Sequence, residues 1–284
     1  MYLEILFNYK YMLNLFNRRN TNIKQQNEKR NELVKYLNLY KSFPIKNSYN
    51  SIIPLNLYTC WHTQNLPPLM RKNFLDLISN NKEFKIFLYD EELCRKFIQE
   101  NFSNDVLEAY DKLIPCSYKS DLWRFCVLYI NGGIYIDIKF KCVNGFKFIA
   151  LTEEEYFVKD RPDDYVYTAL IACLPKNKIL LNCINEIVKN VKNKFYGENA
   201  LYPTGPGLLG KFFSKEDKNS LKLYFKDTNI PGLINEHYII YNNQIILKYY
   251  DKYRIEQKIY QKNKYYAELW RDRNIYKKIG RAHV

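Results

Sequence analysis

The residues best suited to chemistry are an acid and a base one helical turn apart, followed by a glycine pair and a second acid. Asp121 and Arg124 are three positions apart, so on a helix their side chains are neighbours. Gly132-Gly133 then ends the apolar run, and Asp137 follows a short hydrophobic strand pattern. Carboxylates delivered in this way reach the carboxyl end of a sheet, where α/β proteins bind ligands. For Asp121 and Arg124 alone, an ordinary surface ion pair is the alternative.

Alternating strand and helix patterns surround these residues and predict an α/β fold with a mostly parallel central sheet. The helix that carries Asp121 is predicted because Leu122, Phe125, Cys126 and Tyr129 recur on one face. The predicted elements, in order, are strand 52–60, helix 67–80, strand 85–89, helix 90–101 capped by Asp90, helix 117–130, strand 134–138, an apolar helical stripe over 180–191, and a hairpin over 237–249.

The composition allows a sizeable core and gives a strongly basic chain. Of 284 residues, 47% are hydrophobic, and the formal net charge is +14. Such a charge suits polyanions, anionic membrane surfaces or phosphate-rich ligands. Much of it follows from a composition rich in Lys, Asn, Ile and Tyr, which is typical of AT-biased coding, as in a viral or AT-rich genome. No basic stripe with interleaved aromatic residues forms a recognisable module, so no nucleic-acid partner is expected.

The cysteines and the amino terminus bear on the compartment. The seven cysteines are odd in number and contain no C-x-x-C pair, which favours buried free thiols in a reducing compartment. Residues 1–50 are interpreted as an accessory helix followed by a polar linker. Glu4 and Lys10 interrupt its apolar run, which is too short to span a bilayer and unlike a signal peptide. We therefore expect a cytoplasmic protein, with peripheral membrane contact through this helix as the alternative to docking on the domain.

A resemblance to a known family rests on several motifs in order. Ser120-Asp121-x-x-Arg124 with Gly132-Gly133-x-Tyr135-x-Asp137 resembles the sugar-nucleotide-binding core of glycosyltransferase family 32. Trp61-His62 with Leu66-Pro67-Pro68, Leu88-Tyr89-Asp90 and Thr204-Gly205-Pro206 resemble further segments of that family. The match covers about 51–215, with a weaker tail to about 276.

The resemblance implies a GT-A domain over 51–284 with a C-terminal tail that closes over the donor. It implies an enzyme that transfers a hexosyl or N-acetylhexosaminyl group from a nucleotide-sugar donor to a glycan or glycoprotein acceptor, with retention. Two alternatives remain: a catalytically inactive nucleotide-sugar-binding module and, third, a basic nucleic-acid-binding protein.

Site roles also follow from the resemblance. Trp61 would stack on the nucleobase, Asp121 and Arg124 would contact the transferred sugar, and Asp137 would contact ribose and metal. The expected catalytic residues are Asp121, Arg124, Asp137 and Lys139. The other expected site residues are Gly133, Tyr135 and Trp270 for the donor, and Thr168, Thr204 and Gly205 for the acceptor or sugar pocket.

Lys139 departs from the family pattern, because a second acid of a D-x-D motif is expected there. A hard cation such as Mn²⁺ or Mg²⁺ prefers oxygen ligands, and an ammonium repels it. Three interpretations are open. Lys139 replaces the metal; a metal binds through Asp137 and a carboxylate from elsewhere while Lys139 turns away; or catalysis is lost. Thr168 is a second departure, since relatives often have asparagine there.

Overall fold

A computed structural model of the protein describes residues 41–161, 164–228 and 236–277. Contacts divide the chain at Lys41 and Ser42, and the second compact unit spans Ser42–Val284. The predicted N-terminal helix lies outside the described residues. The buried ring of Phe43 packs on Phe146 and Tyr241, so the segment from Ser42 already belongs to the α/β unit.

Nine strands form one sheet within the described residues. They are β1 (Asn56–Cys60), β2 (Lys85–Tyr89), β3 (Gly133–Ile136), β4 (Phe140–Cys142), β5 (Tyr156–Lys159), β6 (Val166–Cys173), β7 (Leu223–Thr228), β8 (Glu236–Tyr241) and β9 (Gln244–Tyr249). The helices are α1 (Pro68–Asn80), α2 (Glu91–Asn101), α3 (Asn104–Lys112), α4 (Cys116–Asn131), α5 (Lys178–Lys192), α6 (Pro206–Gly210), α7 (Lys215–Ser220), α8 (Tyr253–Tyr260) and α9 (Tyr266–Arg271), with a short 3₁₀ helix at Phe148–Leu151.

The strand order is β2-β1-β3-β6-β5-β7-β8-β9-β4. The predicted α/β class is confirmed, but the sheet is mixed rather than mostly parallel. Parallel pairing joins β2 to β1, β1 to β3 and β5 to β7, whereas the other neighbours are antiparallel. The predicted hairpin is one reason, because β8 and β9 are joined by Asn242 and Asn243, both with positive φ. Such a two-residue turn forces antiparallel pairing.

Local signals position the elements that reach the site. The Asp90 side chain accepts a hydrogen bond of 2.8 Å from the Leu93 amide and caps α2 as predicted. Gly132, with φ +62°, ends α4. β1 begins later than predicted, since Pro54 lacks the N–H that a ladder requires, and Ile53 instead donates its amide to the Thr152 carbonyl.

Helix α4 is buried along most of its length. Leu122, Trp123 and Phe125 are fully buried in the core on one side of the sheet. Asp121 and Arg124 of the same helix are also buried, with 7% and 4% exposure. An ordinary surface ion pair is therefore excluded for them, and both charges need partners in the interior.

Two further sequence predictions concern cysteines and membrane spans. All seven cysteines lie in the described ranges and are free. None of the described helices is long and apolar enough to cross a membrane.

Candidate active site

A cavity of about 320 Å³ opens at the carboxyl ends of β1 and β3, and we call it the strand-end cavity. Trp61 follows β1, and Asp137 follows β3, so the two strands deliver both residues to the same edge. Helix α4 contributes Ser120 and Arg124 to its wall. Residues of the segment 253–266 also line this cavity.

Four charged side chains of alternating sign meet here, three lining the cavity and Asp121 beneath it, and we call them the charge cluster: Asp121, Arg124, Asp137 and Lys139. Arg124 Nη2 lies 3.3 Å from Asp121 Oδ1 and 3.3 Å from Asp137 Oδ1. Lys139 Nζ lies 2.6 Å from Asp137 Oδ2. The structure therefore brings together the four residues that the sequence predicted to be catalytic.

The Arg124 guanidinium is held on every side. Its Nη1 donates to the Thr168 carbonyl at 2.6 Å, and its Nη2 donates to Ser120 Oγ at 2.9 Å. Its plane lies over the Tyr135 ring, with 4.3 Å from Cζ to the ring centroid. Burial lowers the pKa of Arg124, but Tyr135 and the neighbouring carboxylates outweigh it and raise the pKa above its ordinary value. Arg124 is thus a fixed, permanent cation.

Asp121 lies beneath the cavity rather than on its surface. Its Oδ2 accepts a hydrogen bond of 2.8 Å from Thr204 Oγ1, and its Oδ1 accepts one of 3.3 Å from Thr168 Oγ1. Burial raises the pKa of Asp121, and Arg124 and the threonines only partly oppose this. A Cβ at Gly205 would lie 3.3 Å from Asp121 Oδ2, so this glycine lets the chain approach the acid. In this conformation Asp121 and Thr168 contact Arg124 from beneath the cavity. Thr204 and Gly205 in turn contact Asp121.

A turn after β3 brings Lys139 back onto Asp137. The Phe140 amide donates to the Asp137 carbonyl at 3.1 Å, and Asn73 Nδ2 donates to the Ile138 and Phe140 carbonyls at 3.0 and 2.8 Å. Residues at i and i+2 of an extended strand lie on the same face but about 6–7 Å apart, and this turn brings the two side chains into direct contact.

The pair formed by Asp137 and Lys139 is charged and largely shielded. The Tyr135 hydroxyl donates to Asp137 Oδ1 at 2.7 Å. Burial raises the pKa of Asp137, but Lys139 and Arg124 hold the pKa below its ordinary value. Burial likewise lowers the pKa of Lys139, and Asp137 more than offsets this and raises it. The Lys139 ammonium also lies 5.3 Å from the ring centroids of Tyr167 and Tyr249.

Asp137 does not fit a hard dication as it stands. Both its carboxylate oxygens have donor partners, and the ammonium of Lys139 occupies the side of Oδ2. Within the part of the chain that the structure describes, no group of three or more His, Cys, Asp or Glu side chains could hold a metal ion. Lys139 is not turned away, so the second of the three interpretations does not match this geometry.

The remaining predicted donor residues divide into two groups. Trp61 and Tyr135 line the strand-end cavity, and the buried indole N–H of Trp61 has no hydrogen-bond partner among the described residues. Gly133 instead begins β3 at the far end of the strand, where a Cβ would lie 2.5 Å from the Asn56 carbonyl oxygen. Trp270 donates its indole N–H to the Tyr196 carbonyl at 2.7 Å and packs on the core. The donor-binding predictions for Gly133 and Trp270 are therefore not supported.

Several cavity residues escaped the sequence analysis. Arg254 and Tyr249 line it from the C-terminal part of the chain, and Cys60 lies between Ser120 and Tyr135. The cluster of aromatic and basic residues from 249 to 254 was a signal available in the sequence. No spacing rule, however, connects it to a motif more than 100 positions earlier.

Comparison with known proteins assigns the family. Residues 67–157 match the family described as a glycosyltransferase sugar-binding region containing a DXD motif. An uncharacterized glycosyltransferase of Acanthamoeba polyphaga mimivirus is 32% identical over 203 residues, which cover 68% of this chain and 76% of that protein.

Two solved structures are also similar. The PaToxG glycosyltransferase matches with a TM-score of 0.47 and 20% identity over 68% of this chain and 77% of that one. The ligand-free glycosyltransferase domain of the YGT toxin matches with a TM-score of 0.37 and 10% identity over 51% and 64%. On the family match and the mimivirus relative, the chain belongs to the family 32-like glycosyltransferases with a DXD-type sugar-binding region.

Proposed function

We propose that the protein transfers a hexosyl or N-acetylhexosaminyl group from a nucleotide sugar, bound in the strand-end cavity, to a hydroxyl of a glycan or glycoprotein, with retention. The observation that carries this proposal is the charge cluster at the cavity floor. Fixed charges of both signs suit a reaction in which positive charge develops on the sugar and negative charge on the diphosphate. In this reaction the bond from the anomeric carbon to the phosphate oxygen breaks, and a bond to the acceptor oxygen forms. The leaving diphosphate accepts the acceptor proton.

The binding mode follows from what each wall offers. Trp61 supplies an aromatic face for the nucleobase, next to the open end of β1. Arg124 and Asp137 face the sugar and ribose, and Asp121 fixes Arg124 from below. Tyr253, Tyr265 and Tyr266 line the cavity and would cover the donor, the role that the resemblance gives to the C-terminal tail.

We further propose that Lys139 takes the place of the divalent cation. The matched family is described by a DXD motif, whose two acids suit a cation; here the third position of that motif carries an ammonium 2.6 Å from the first acid. The support is the chemistry of this donor set. The ammonium pairs with Asp137 and lines the strand-end cavity, and we place the diphosphate of the donor beside it.

A donor panel tests the proposal. Thermal unfolding with UDP- and GDP-sugars should show stabilisation by one donor class, since a ligand that binds only the folded state raises its apparent stability. Donor hydrolysis in EDTA, and the anomeric configuration of the product by NMR, then test turnover, metal use and retention. Stabilisation without turnover would leave an inactive binding module. No stabilisation by any nucleotide sugar would refute the proposed function.

A further inference from the structure

The charge cluster places Lys139 at the cavity but carries no net charge, so it does not by itself balance the two negative charges of a diphosphate. Its two carboxylates and two cations cancel formally. Of the other cations on the cavity wall, Lys119 and Lys262 both bind Glu91, and Lys264 lies 3.8 Å from Asp272. Arg161 lies over the Phe225 ring, with 5.2 Å from its Cζ to the ring centroid. Because Lys119 and Lys262 share one carboxylate, that group keeps a formal charge of +1. A dianionic ligand still needs further positive charge besides it.

Arg254 lines the cavity and has no acidic partner among the described residues. It lies in the first turn of α8 and is exposed on the cavity wall. Its Nη1 donates to Gln257 Oε1 at 2.8 Å, and no carboxylate of the described residues lies within 4.0 Å of the guanidinium. The other four guanidinium N–H groups donate no hydrogen bond to the described residues, so they are available to a ligand.

Arg254 and Lys139 face the same aromatic ring. The Arg254 Cζ lies 5.3 Å from the centroid of Tyr249, and Lys139 Nζ lies 5.3 Å from the same centroid. Arg254 also lies 5.5 Å from the centroid of Tyr253. Stacking on two rings orients the guanidinium without using its hydrogen-bond donors.

The helix that carries Arg254 is anchored two residues further on. The buried carboxylate of Glu256 accepts hydrogen bonds from the amides of Leu69 and Met70, at 2.8 and 3.0 Å, and one of 2.8 Å from the Tyr250 hydroxyl. These bonds tie α8 to the first turn of α1. The backbone that carries Arg254 is thus held in place without a ligand, and preorganised charge is the effective form of electrostatic stabilisation.

We propose that Arg254 binds the diphosphate of the nucleotide-sugar donor and stabilises the charge left on it when the sugar departs. This inference rests on the proposed function. When the bond from the anomeric carbon to the phosphate oxygen breaks, its electron pair stays on the diphosphate. Arg254 donates to the non-bridging oxygens in the two-pronged geometry that guanidinium and phosphate share.

The test compares Arg254→Gln with Lys258→Gln, which removes the same charge from the same helix outside the cavity. Binding of a nucleoside, its monophosphate and its diphosphate is measured by calorimetry in EDTA, for the uridine and guanosine series. We expect Arg254→Gln to weaken diphosphate binding about 10- to 100-fold, the effect of losing a hydrogen-bonded charge. Nucleoside binding should change by less than about 3-fold, and donor hydrolysis should fall by at least ~100-fold. Lys258→Gln should match the wild type in every measurement.

Each outcome separates this inference from the proposed function. A wild type that binds no nucleotide refutes the proposed function. If Arg254→Gln binds the diphosphate as tightly as the wild type does, the inference is overturned and the proposed function stands. An equal loss for nucleoside and diphosphate also overturns the inference, because a structural role would affect both. If Arg254→Gln binds the donor normally but no longer transfers the sugar to an acceptor, the inference is overturned. Arg254 would then bind an anionic acceptor instead. If Arg254→Gln does not fold, Arg254→Lys takes its place in the comparison. Because lysine keeps the charge, this variant should retain part of the diphosphate affinity.

Discussion

Replacing Lys139 by methionine tests whether its ammonium stands in for a metal. Two unit charges 2.6 Å apart attract with about 6 kcal/mol at an effective dielectric constant of about 20. Desolvation of both groups offsets much of this, and Asp137 keeps Arg124 and the Tyr135 hydroxyl in the variant. We therefore expect a loss of about 2–3 kcal/mol in the free energy of unfolding, below the usual range for one partner of a buried pair. That loss corresponds to a fall in Tm of roughly 4–12 °C.

The effect on catalysis should be larger than the effect on stability. Without the ammonium, the departing diphosphate loses a charged partner, so donor turnover should fall about 100- to 1000-fold, the cost of one such contact in a transition state. Wild-type turnover should persist in EDTA. Lys139→Asp should acquire dependence on Mn²⁺, since it places a second oxygen ligand beside Asp137.

Lys141→Met is the matched control, because Lys141 also pairs with an acid, Asp251, at 3.0 Å, but on the surface. Its loss should cost less than about 1 kcal/mol and leave turnover unchanged. The pH dependence gives an independent check. The pKa of Asp137 is lowered, so its contribution is present above its unfolded pKa and is lost as pH falls through the folded pKa. The pKa of Lys139 is raised, so its contribution is lost only as pH rises through that higher pKa.

The stability difference between the wild type and Lys139→Met should therefore be flat from about pH 5 to about pH 10 and narrow at both extremes. Thermal unfolding across pH and donor hydrolysis with EDTA or Mn²⁺ are the measurements. Wild-type activity that disappears in EDTA and returns with Mn²⁺, together with a mild effect of Lys139→Met, would refute the reasoning.

Three further predictions concern the cavity floor and the sheet beside it. Asp137→Asn should keep the fold and lower donor turnover by at least ~100-fold, and near-normal hydrolysis would contradict its assignment. Asp121→Ala and Arg124→Ala should each reduce turnover, and the double variant should be little worse than the worse single one, because Asp121 acts through Arg124; additive losses in a double-mutant cycle would show independent roles. Gly133→Ala should lower the free energy of unfolding by at least ~2 kcal/mol, because φ is +102° and its Cβ would meet the Asn56 carbonyl. The folded fraction should keep its donor affinity, and lost affinity at full stability would return Gly133 to the donor site.

Local patterns account for the parts of the structure that were predictable. Helix α4 was expected over 117–130 and spans Cys116–Asn131, because its apolar period and the following glycines mark both its face and its end. The proximity of Asp121 and Arg124 was accessible from their spacing on one helix, whereas the catalytic set of four followed from the resemblance. The contact of Lys139 with Asp137 also depends on a turn whose carbonyls accept hydrogen bonds from Asn73 of α1.

Long-range pairing accounts for what was missed. Tyr249 reaches the site because β9 pairs with β4, where Phe140 is opposite Tyr249. Arg254 follows five residues later and enters the cavity for the same reason. A sequence pattern contains no information on which distant strand will occupy that edge. The position of Gly133 was also not accessible from the motif alone, since β3 begins at Gly133 and Asp137 follows its other end.

The hydrogen bonds of Glu256 have a consequence for the order in which the protein can be assembled. Its carboxylate caps α1 across 186 and 187 positions of sequence, so the beginning of that helix lacks its partner until the chain has been synthesised past α8. During translation, the first βαβ segment would leave the ribosome with uncapped amides and an open cavity edge. A nascent chain halted before α8 should therefore bind a nucleotide sugar poorly, even though it already contains every residue of the charge cluster.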